Sequence, residues 1–352
     1  MTGKKMCIVT LCITLVLLMI VGSLTAYVDP LFHYRVPRDG QAYRLYSHRY
    51  QNDGITRHFE YDSILVGTSM IENFKTSQCD ALFGTNTIKI PFSGASYKEL
   101  NNAVVRALSY NPDVNTIFWG VDLARLFSDK DYMRYGSYPD YLYDDALIND
   151  IHYLFNKDIF VDDTLSAIEF DIKNDISYTF DLYSNWNDKF TYGRENILAN
   201  YYRPQATGQI QSFSESDAQI IRGTIQQNLT GVIAANPQIE FYLFVSPYSV
   251  VYWDSLNQTG DIQRYIDGLG FAFEMLLSYE NVHLFSFLDA FEVTSNLDLY
   301  HDSQHFNQDI NAQMLDWMYT GEHQVTLENC QAHLQTLADF YLAYPYASIF
   351  EE

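Results

Sequence analysis

The chain has 352 residues, of which 47% are hydrophobic and 16% aromatic. That apolar content is enough for one large domain or two small ones with a substantial core, and it excludes a disordered protein. There are 44 acidic residues against 21 Lys and Arg, giving a formal net charge of −23. A charge of that sign argues against nucleic acid and against an anionic lipid surface as partners.

The first 28 residues predict a membrane anchor. No charged residue occurs from Met6 to Val28, and Lys4 and Lys5 precede this run. About 23 residues at a rise of about 1.5 Å are long enough to cross a hydrocarbon core of about 30 Å. The lysines predict a cytoplasmic N-terminus and an extracytoplasmic remainder, residues 29–352. A cleaved signal peptide is the alternative, but its apolar core usually spans only about 7 to 15 residues before a small-residue cleavage site.

The cysteines provide no framework for the fold. Cys7 and Cys12 lie in the predicted anchor, which leaves Cys79 and Cys330 in the remainder. Their spacing matches neither a disulfide scaffold nor a zinc site. A disulfide between Cys79 and Cys330 and two separately buried thiols are both open.

Beyond the anchor, residues 29–60 have no clear periodicity and predict a juxtamembrane segment without assigned chemistry. Short apolar runs then alternate with stretches of helical periodicity. The predicted strands are 63–66, 87–90, 114–119, 239–245 and 282–287. The predicted helices are one through 78–83, then 97–110, 216–234, 261–277, 307–318 and 327–341. This alternation predicts one domain over residues 61–345, with a parallel sheet and helices on both faces.

Residues 128–213 interrupt the alternation and predict an insertion at the sheet edge. Tyrosines recur at every third position, at Tyr132, Tyr135, Tyr138 and Tyr141. An aromatic platform for a glycan is one interpretation. Packing of a loop-rich subdomain, with the hydroxyl groups left in water, is the favoured one.

Four loops at predicted strand ends contain residues suited to chemistry. They are Gly67-Thr68-Ser69, Ser93-Gly94, Gly120-Val121-Asp122 and Asp302-Ser303-Gln304-His305. Parallel sheets bind their ligands at the carboxyl ends of strands. A hydroxyl nucleophile needs a base to take its proton and a carboxylate to orient that base, so Ser69, His305 and Asp302 predict acyl transfer.

Each of these residues also has a structural interpretation. Ser69 could cap the helix that follows its strand, and Asp302 could cap the helix that begins near residue 307. His301 and His305 have the i, i+4 spacing of a metal site, but no Glu or third ligand accompanies them. The sequence therefore predicts no metal and no cofactor.

In order and position the four loops resemble the SGNH (GDSL-like) hydrolase superfamily, particularly its membrane-anchored branch related to DltD and to alginate O-acetyltransferase domains. The resemblance covers residues 62–122 and 239–318, and it implies a flavodoxin-like three-layer α/β/α sandwich with a parallel sheet. It implies that Ser69 is the nucleophile, that His305 is the general base and then acid, and that Asp302 orients the imidazole. It also implies that the backbone amides of Ser69 and Gly94 face the oxyanion.

Two departures from that pattern bear on activity. The first block has Thr68 where the family has Asp, a side chain that transfers no proton. The third block has Asp122 where hydrolytic members have Asn, and an ionised Asp cannot donate a hydrogen bond to the oxyanion. Loss of one such donor can cost about 10² to 10³ in rate. This weakens simple esterase activity and leaves transfer to a polysaccharide hydroxyl open.

The sequence thus predicts a membrane-anchored extracytoplasmic serine esterase or O-acyltransferase that acts on cell-envelope glycans or teichoic-acid-like polymers. The resemblance implies a multi-pass acyl-exporting membrane protein as a partner. Two alternatives remain. One is a catalytically inactive binding or scaffold protein of an envelope acylation complex, and the other is a lipid esterase facing the membrane.

Overall fold

The computed structural model describes residues 2–136, 138–173 and 175–351. The first residue of the predicted anchor, two residues of the predicted insertion (137 and 174) and the final residue lie outside the described residues. The chain forms two compact units. The anchor unit comprises Met1–Glu60 and Gly136–Thr179, and the sheet unit comprises Tyr61–Tyr135 and Phe180–Glu352.

The sheet unit contains a six-stranded sheet in the order β2-β1-β3-β4-β5-β6. Its strands are β1 (Ser63–Gly67), β2 (Thr87–Pro91), β3 (Thr116–Gly120), β4 (Glu240–Val245), β5 (Val282–Ser286) and β6 (Gln324–Val325). The first five pair in parallel, and β6 pairs antiparallel with β5 at the edge. This is the flavodoxin-like order with one added edge strand, so the predicted fold class is confirmed.

The described helices lie before, between and after these strands. They are α1 (Gly3–Val28), α2 (His48–His58), α3 (Thr76–Phe83), α4 (Tyr97–Tyr110), α5 (Ile151–Leu154), α6 (Leu165–Ile172), α7 (Arg194–Asn200), α8 (Glu215–Ile225), α9 (Gly231–Ala235), α10 (Val250–Thr259), α11 (Ile262–Leu276), α12 (Phe291–Thr294), α13 (Gln308–Thr320) and α14 (Cys330–Ala343). A π-helical turn, Gln226–Thr230, joins α8 to α9 within the helix predicted over 216–234.

The strands bury both faces, as parallel strands between two helical layers do. Every residue of β1, β2 and β3 is buried, including Lys89 of β2. In contrast, α4 is amphipathic, and Ser96 and Glu99 form a capping box at its start. Its bounds match the prediction because apolar periodicity and capping agree there. Cys79 and Cys330 are both buried free thiols.

The sequence did not predict α2 and α10, and the cause differs between them. Six of the ten residues of α10 are buried, including every residue from Val250 to Asp254, so the first half of the helix shows no alternation of apolar and polar faces. The helix α2 was not predicted because most of its residues are polar, although six of its residues are buried in the structure. Its Gln51 donates to the carbonyl oxygens of Pro30 and Arg44 and accepts from the Tyr46 amide at 2.8 Å. Hydrogen bonds rather than an apolar stripe hold α2 in place.

In the anchor unit, α1 is long and apolar enough to span a membrane. Its last turns pack into the folded part of the unit, where Gly22, Thr25 and Val28 are buried. Immediately after α1, Asp29 accepts hydrogen bonds from the Tyr153 hydroxyl at 2.8 Å and from the His33 amide at 3.0 Å. Residues distant in sequence therefore fix the end of α1.

Candidate active site

Ser69 lies directly after β1, at the start of a short 3-10 turn, Ser69–Ile71. Gly67 permits the turn to fold back on its strand, because a Cβ there would come within 2.6 Å of Ile71 Cγ2. From the other side, the Asn311 side chain of α13 donates to the Met70 carbonyl oxygen at 3.2 Å. Ser69 is thus held at the carboxyl end of a central strand by packing on both sides.

Asp302 and His305 belong to a tight loop that precedes α13. A β-bridge between Tyr300 and Phe306 closes the base of this loop. Within it, Asp302 Oδ1 accepts hydrogen bonds from the amides of Gln304 and His305, both at 2.8 Å. These two donors fix the carboxyl group, so that Asp302 Oδ2 lies 2.7 Å from His305 Nδ1.

The structure brings Ser69 to this loop across 236 positions of sequence, with Ser69 Oγ 2.7 Å from His305 Nε2. Since Asp302 accepts the proton on Nδ1, the Nε2 lone pair faces the serine hydroxyl. A continuous chain of hydrogen bonds therefore runs from the Ser69 hydroxyl through the imidazole of His305 to the Asp302 carboxylate. In that arrangement the imidazole can take the serine proton.

The electrostatics of the loop favour a charged pair. Burial by itself raises the pKa of Asp302, but hydrogen bonds from His305 and two amides outweigh burial and lower it to about 2. Burial lowers the pKa of His305, but the hydrogen bond and charge of Asp302, with the charges of Glu72 and Asp122, raise it above the usual value. An imidazolium formed during proton transfer is thereby stabilised.

Gly94, after β2, lies in the left-handed region with a φ of 63°. Its carbonyl oxygen accepts hydrogen bonds from Arg125 Nη2 at 3.1 Å and from Arg134 Nη1 at 3.4 Å. Across the described part of the chain, the amides of Ser69 and Gly94 have no intramolecular hydrogen-bond acceptor. These two amides are the donors that the sequence analysis assigned to the oxyanion.

Asp122, after β3, is occupied as an acceptor. Its Oδ2 accepts from Thr68 Oγ1 at 2.9 Å, and its Oδ1 accepts from the Ala124 amide at 2.9 Å and from the Tyr248 hydroxyl. The side chain therefore links the loop that carries Ser69 to the loops after β3 and β4. Asp122 stabilises the site and has no proton to donate to it.

Two buried ionisable residues, Glu72 just after the Ser69 turn and Lys89 of β2, were not predicted. Glu72 accepts a hydrogen bond from the hydroxyl of Ser93, next to Gly94, and forms a second hydrogen bond with the Trp186 side chain. Burial raises the pKa of Glu72. Lys89 donates to the carbonyl oxygens of residues 72 and 74 at 2.6 and 2.9 Å, and burial lowers its pKa to about 7. A lysine between the apolar residues of a short strand was the sequence signal for the second of these.

Aromatic side chains surround the two histidines of the loop. The Trp186 ring meets the His305 ring edge-on at 5.6 Å, and the Phe190 ring stacks on His301 at 4.2 Å. Both aromatic residues lie in the region predicted as an insertion, but outside its tyrosine run. That run is divided, with Tyr132 and Tyr135 in the sheet unit and the other two tyrosines in the anchor unit.

His301, Asp302 and His305 place potential metal ligands within 4.8 Å of one another. Two imidazoles and a carboxylate are a ligand set that zinc accepts. Both nitrogens of His305, however, already face hydrogen-bond partners, namely Ser69 and Asp302. A metal bound through His305 would therefore compete with the hydrogen-bond chain. The expectation of no metal stays a prediction.

No family model and no curated protein matches this chain. One solved chain, from Streptococcus pneumonia and described as a candidate platelet activating factor, aligns with 77% of this chain and 91% of its own length. The two sequences are 14% identical over that alignment, and the TM-score is 0.37. A similarity of that size identifies neither a family nor an activity.

Proposed function

We propose that this protein is a membrane-anchored serine esterase or O-acyltransferase of the SGNH type, with Ser69 as its nucleophile. The observation that carries the proposal is the hydrogen-bond chain from Ser69 Oγ to His305 Nε2 and from His305 Nδ1 to Asp302 Oδ2, each step 2.7 Å. A Ser-His-carboxylate chain in which each step has hydrogen-bond length is the arrangement that activates a serine hydroxyl for attack on an acyl carbon.

In the proposed reaction, Ser69 Oγ attacks the carbonyl carbon of an acyl ester while His305 Nε2 takes the hydroxyl proton. The carbonyl oxygen becomes an oxyanion, which the amides of Ser69 and Gly94 stabilise. His305 then returns the proton to the departing alcohol, and the acyl group stays on Ser69. An incoming hydroxyl group or water gives its proton to His305, attacks the acyl-serine and releases Ser69.

The donor set for the oxyanion weakens hydrolysis and leaves transfer to a bound hydroxyl group open. Asp122 stands where hydrolytic members of the resembled family have an Asn donor, and its oxygens accept from Thr68, Ala124 and Tyr248. With two donors instead of three, the rate with water is expected to be lower by about 10² to 10³. A bound polysaccharide hydroxyl can offset that loss because it is held beside the acyl-serine.

We further propose that α1 is retained as a single-pass anchor, with the remainder of the chain outside the cytoplasmic membrane. The packing of Gly22, Thr25 and Val28 and the hydrogen bond from Tyr153 to Asp29 support this proposal. Signal-peptide cleavage near the end of α1 would remove these contacts from the folded unit. The proposed substrates are acylated cell-envelope glycans or related polymers, with a multi-pass acyl-exporting protein as the proposed partner.

The test uses the full chain purified in detergent, with release of a chromogenic acetyl ester as the assay. Ser69→Ala and His305→Ala should each abolish release. Ser109→Ala and His283→Ala, which change the same residue types at an exposed and a partly exposed position away from Ser69, should not. A serine-directed phosphonate should label the wild type and fail to label Ser69→Ala.

The possible results separate the candidate functions. Labelling of Ser69 without ester release indicates a transferase that needs its acceptor. Labelling that persists in Ser69→Ala contradicts the proposed nucleophile. If neither release nor labelling occurs in any form, the chain is an inactive binding or scaffold protein.

A further inference from the structure

We propose that residues 147–172 of the anchor unit, here called the collar, bind the outer leaflet of the bilayer and insert apolar side chains into it beside α1. The proposal rests on the membrane anchorage proposed above. It adds a second membrane contact, made by folded chain around the end of the anchor. The occupant of this surface is the acyl-chain region of phospholipid.

The C-terminal half of the collar has an apolar stripe that is partly exposed along its whole length. This half of the collar consists of a π-helical turn, Ile159–Thr164, which is continued by α6. Val161, Leu165 and Ile172 are exposed, and Ile172 has 75% of its surface accessible. Together with Ile168 their positions are four, three and four apart, which places them on one side of a helix. The side chains of Ile159 and Thr164, by contrast, are buried.

The N-terminal half of the collar is also apolar on its surface. Ile148 is 84% exposed and Ile151 is 55% exposed, and Phe155 is exposed over almost half of its surface. Ile148 precedes α5, Ile151 begins it and Phe155 follows it, whereas Tyr153 of α5 points inward and is fully buried. A single exposed isoleucine needs no explanation, but several exposed apolar side chains in one short segment mark an interaction surface.

The collar touches α1 at a level that lies within the bilayer. The Phe155 ring packs on Gly22, where a Cβ would come within 2.9 Å of Phe155 Cε1. The hydroxyl groups of Thr164 and Thr25 are 3.5 Å apart. Counted from Met6, about 20 residues fill the hydrocarbon core, so its outer boundary falls near Thr25. Phe155 therefore lies about 5 Å inside that boundary, since each helical residue rises about 1.5 Å.

The collar surface is continuous with the exposed surface of α1. Ile168 of the apolar stripe lines a groove together with Leu24 and Tyr27 of α1, and Arg38, Asp39 and Asp171 also line this groove. Tyr27 is exposed at the end of the anchor, where interfacial aromatic residues are enriched. Any bilayer that surrounds α1 at this level also meets Ile168 and Phe155. The acyl chains are the occupant for which this continuity argues.

The charges of the collar indicate which lipid it binds. Asp158, Asp162 and Glu169 are exposed, and the neighbouring bases are Lys157 and Lys173. The collar therefore gains nothing from anionic headgroups, unlike basic amphipathic helices. Its insertion depends on apolar burial in zwitterionic lipid and should change little with salt.

The test uses the full chain with Cys7→Ala and Cys12→Ala, reconstituted in phosphatidylcholine vesicles. An environment-sensitive NBD fluorophore is attached to a single added cysteine in the collar, at Ile151→Cys or at Val161→Cys, because Val161 is exposed in the turn whose Thr164 reaches Thr25 of α1. Ile210→Cys in the sheet unit is the matched control, because this isoleucine is 85% exposed and lies outside the collar. Leu15→Cys in the middle of α1 reports whether the anchor is inserted. The protein without an added cysteine gives the background from the buried thiols.

Both collar probes should emit at shorter wavelength than the probe at Ile210 and should be quenched by phosphatidylcholine with brominated acyl chains. Iodide in the buffer should quench the probe at Ile210 and should not quench the collar probes. If iodide quenches the collar probes while lipid quenches the Leu15 probe, the collar proposal is wrong and the anchorage stands. If brominated lipid quenches neither the collar probes nor the Leu15 probe, the anchorage is wrong and the collar proposal is wrong with it. Protection of the collar from iodide in native membranes only would mean that a protein covers it, which also overturns lipid binding.

Discussion

Asp302→Asn should nearly abolish catalysis while leaving the loop folded. The two amides that donate to Asp302 Oδ1, each at 2.8 Å, can donate equally well to the amide oxygen of Asn. The new NH₂ group then occupies the Oδ2 position, 2.7 Å from His305 Nδ1. An NH₂ group only donates, so Nδ1 must become an acceptor and the ring proton moves to Nε2. In that tautomer His305 cannot take the proton of Ser69.

The expected size of the effect follows from this geometry. An Asp-to-Asn change that imposes the wrong tautomer in a Ser-His-Asp site lowers kcat by about 10⁴-fold. The hydrogen bond that is lost is charge-assisted and is worth about 1.5 to 3 kcal/mol. Because one pKa unit corresponds to about 1.4 kcal/mol, the pKa of His305 should fall by about 1 to 2 units. The acid limb of the residual activity should move to lower pH by the same amount.

The assay is kcat/KM for a chromogenic acetyl ester between pH 5 and pH 9. Asp289→Asn is the matched control, because Asp289 accepts from His323 Nδ1 at 2.7 Å in the same unit without contacting Ser69. This control should unfold more easily and keep the wild-type rate and acid limb. If Asp302→Asn keeps its rate within about tenfold of the wild type, the role assigned to Asp302 is wrong.

Three further changes test the buried charges of the sheet unit. Glu72→Gln removes a charge that raises the pKa of His305, so the acid limb of kcat/KM should move to lower pH, and an unmoved limb would contradict this role. Burial lowers the pKa of Lys89 to about 7 in the folded chain, against about 10.4 when unfolded, so the unfolded chain binds more protons between these values. The wild-type free energy of unfolding should therefore gain about 2 kcal/mol between pH 7 and pH 9 from this residue, and urea titrations of Lys89→Met should lack that gain. Finally, the pKa of Asp289 is lowered and that of His323 is raised, so their pairing stabilises the fold fully between about pH 4 and pH 6.5. That stability is lost as pH rises through the folded pKa of His323, and urea titrations should show that Asp289→Asn costs about 1 to 3 kcal/mol more at pH 5.5 than at pH 9.

Local patterns gave much of the fold. The five parallel strands have short apolar runs bounded by glycine, proline or polar residues, and each predicted strand lies within two residues of its observed bounds. The edge strand β6 was not predicted, because two residues, Gln324 and Val325, are too few to form a periodic pattern. The helix α10 was not predicted because its first five residues, Val250–Asp254, are all buried, which removes the polar positions by which an amphipathic helix is recognised there.

The residue types of the candidate site, and their placement at strand ends, follow from the sequence. Ser69, Gly94 and Asp122 each stand after a strand, and the order of strands in the sheet brings their loops to one edge. The role of Asp122, in contrast, could not be predicted from its placement after a strand. The sequence indicates a missing donor there, whereas its place between Thr68 and Tyr248 depends on which loops meet across the sheet.

The sequence alone determined the parallel α/β fold, the apolar N-terminal helix, and the order of a Ser, a Gly and an Asp-x-x-His along the chain, because each of these is a local pattern. Only the tertiary structure decided that Ser69 and His305 lie 2.7 Å apart, and that Glu72 and Trp186 meet beside them. It also decided that Phe155 packs on Gly22 in the last turns of α1. These contacts join residues separated by about 110 to 240 positions, and a distance of that kind is set by the packing of whole elements rather than by any local pattern.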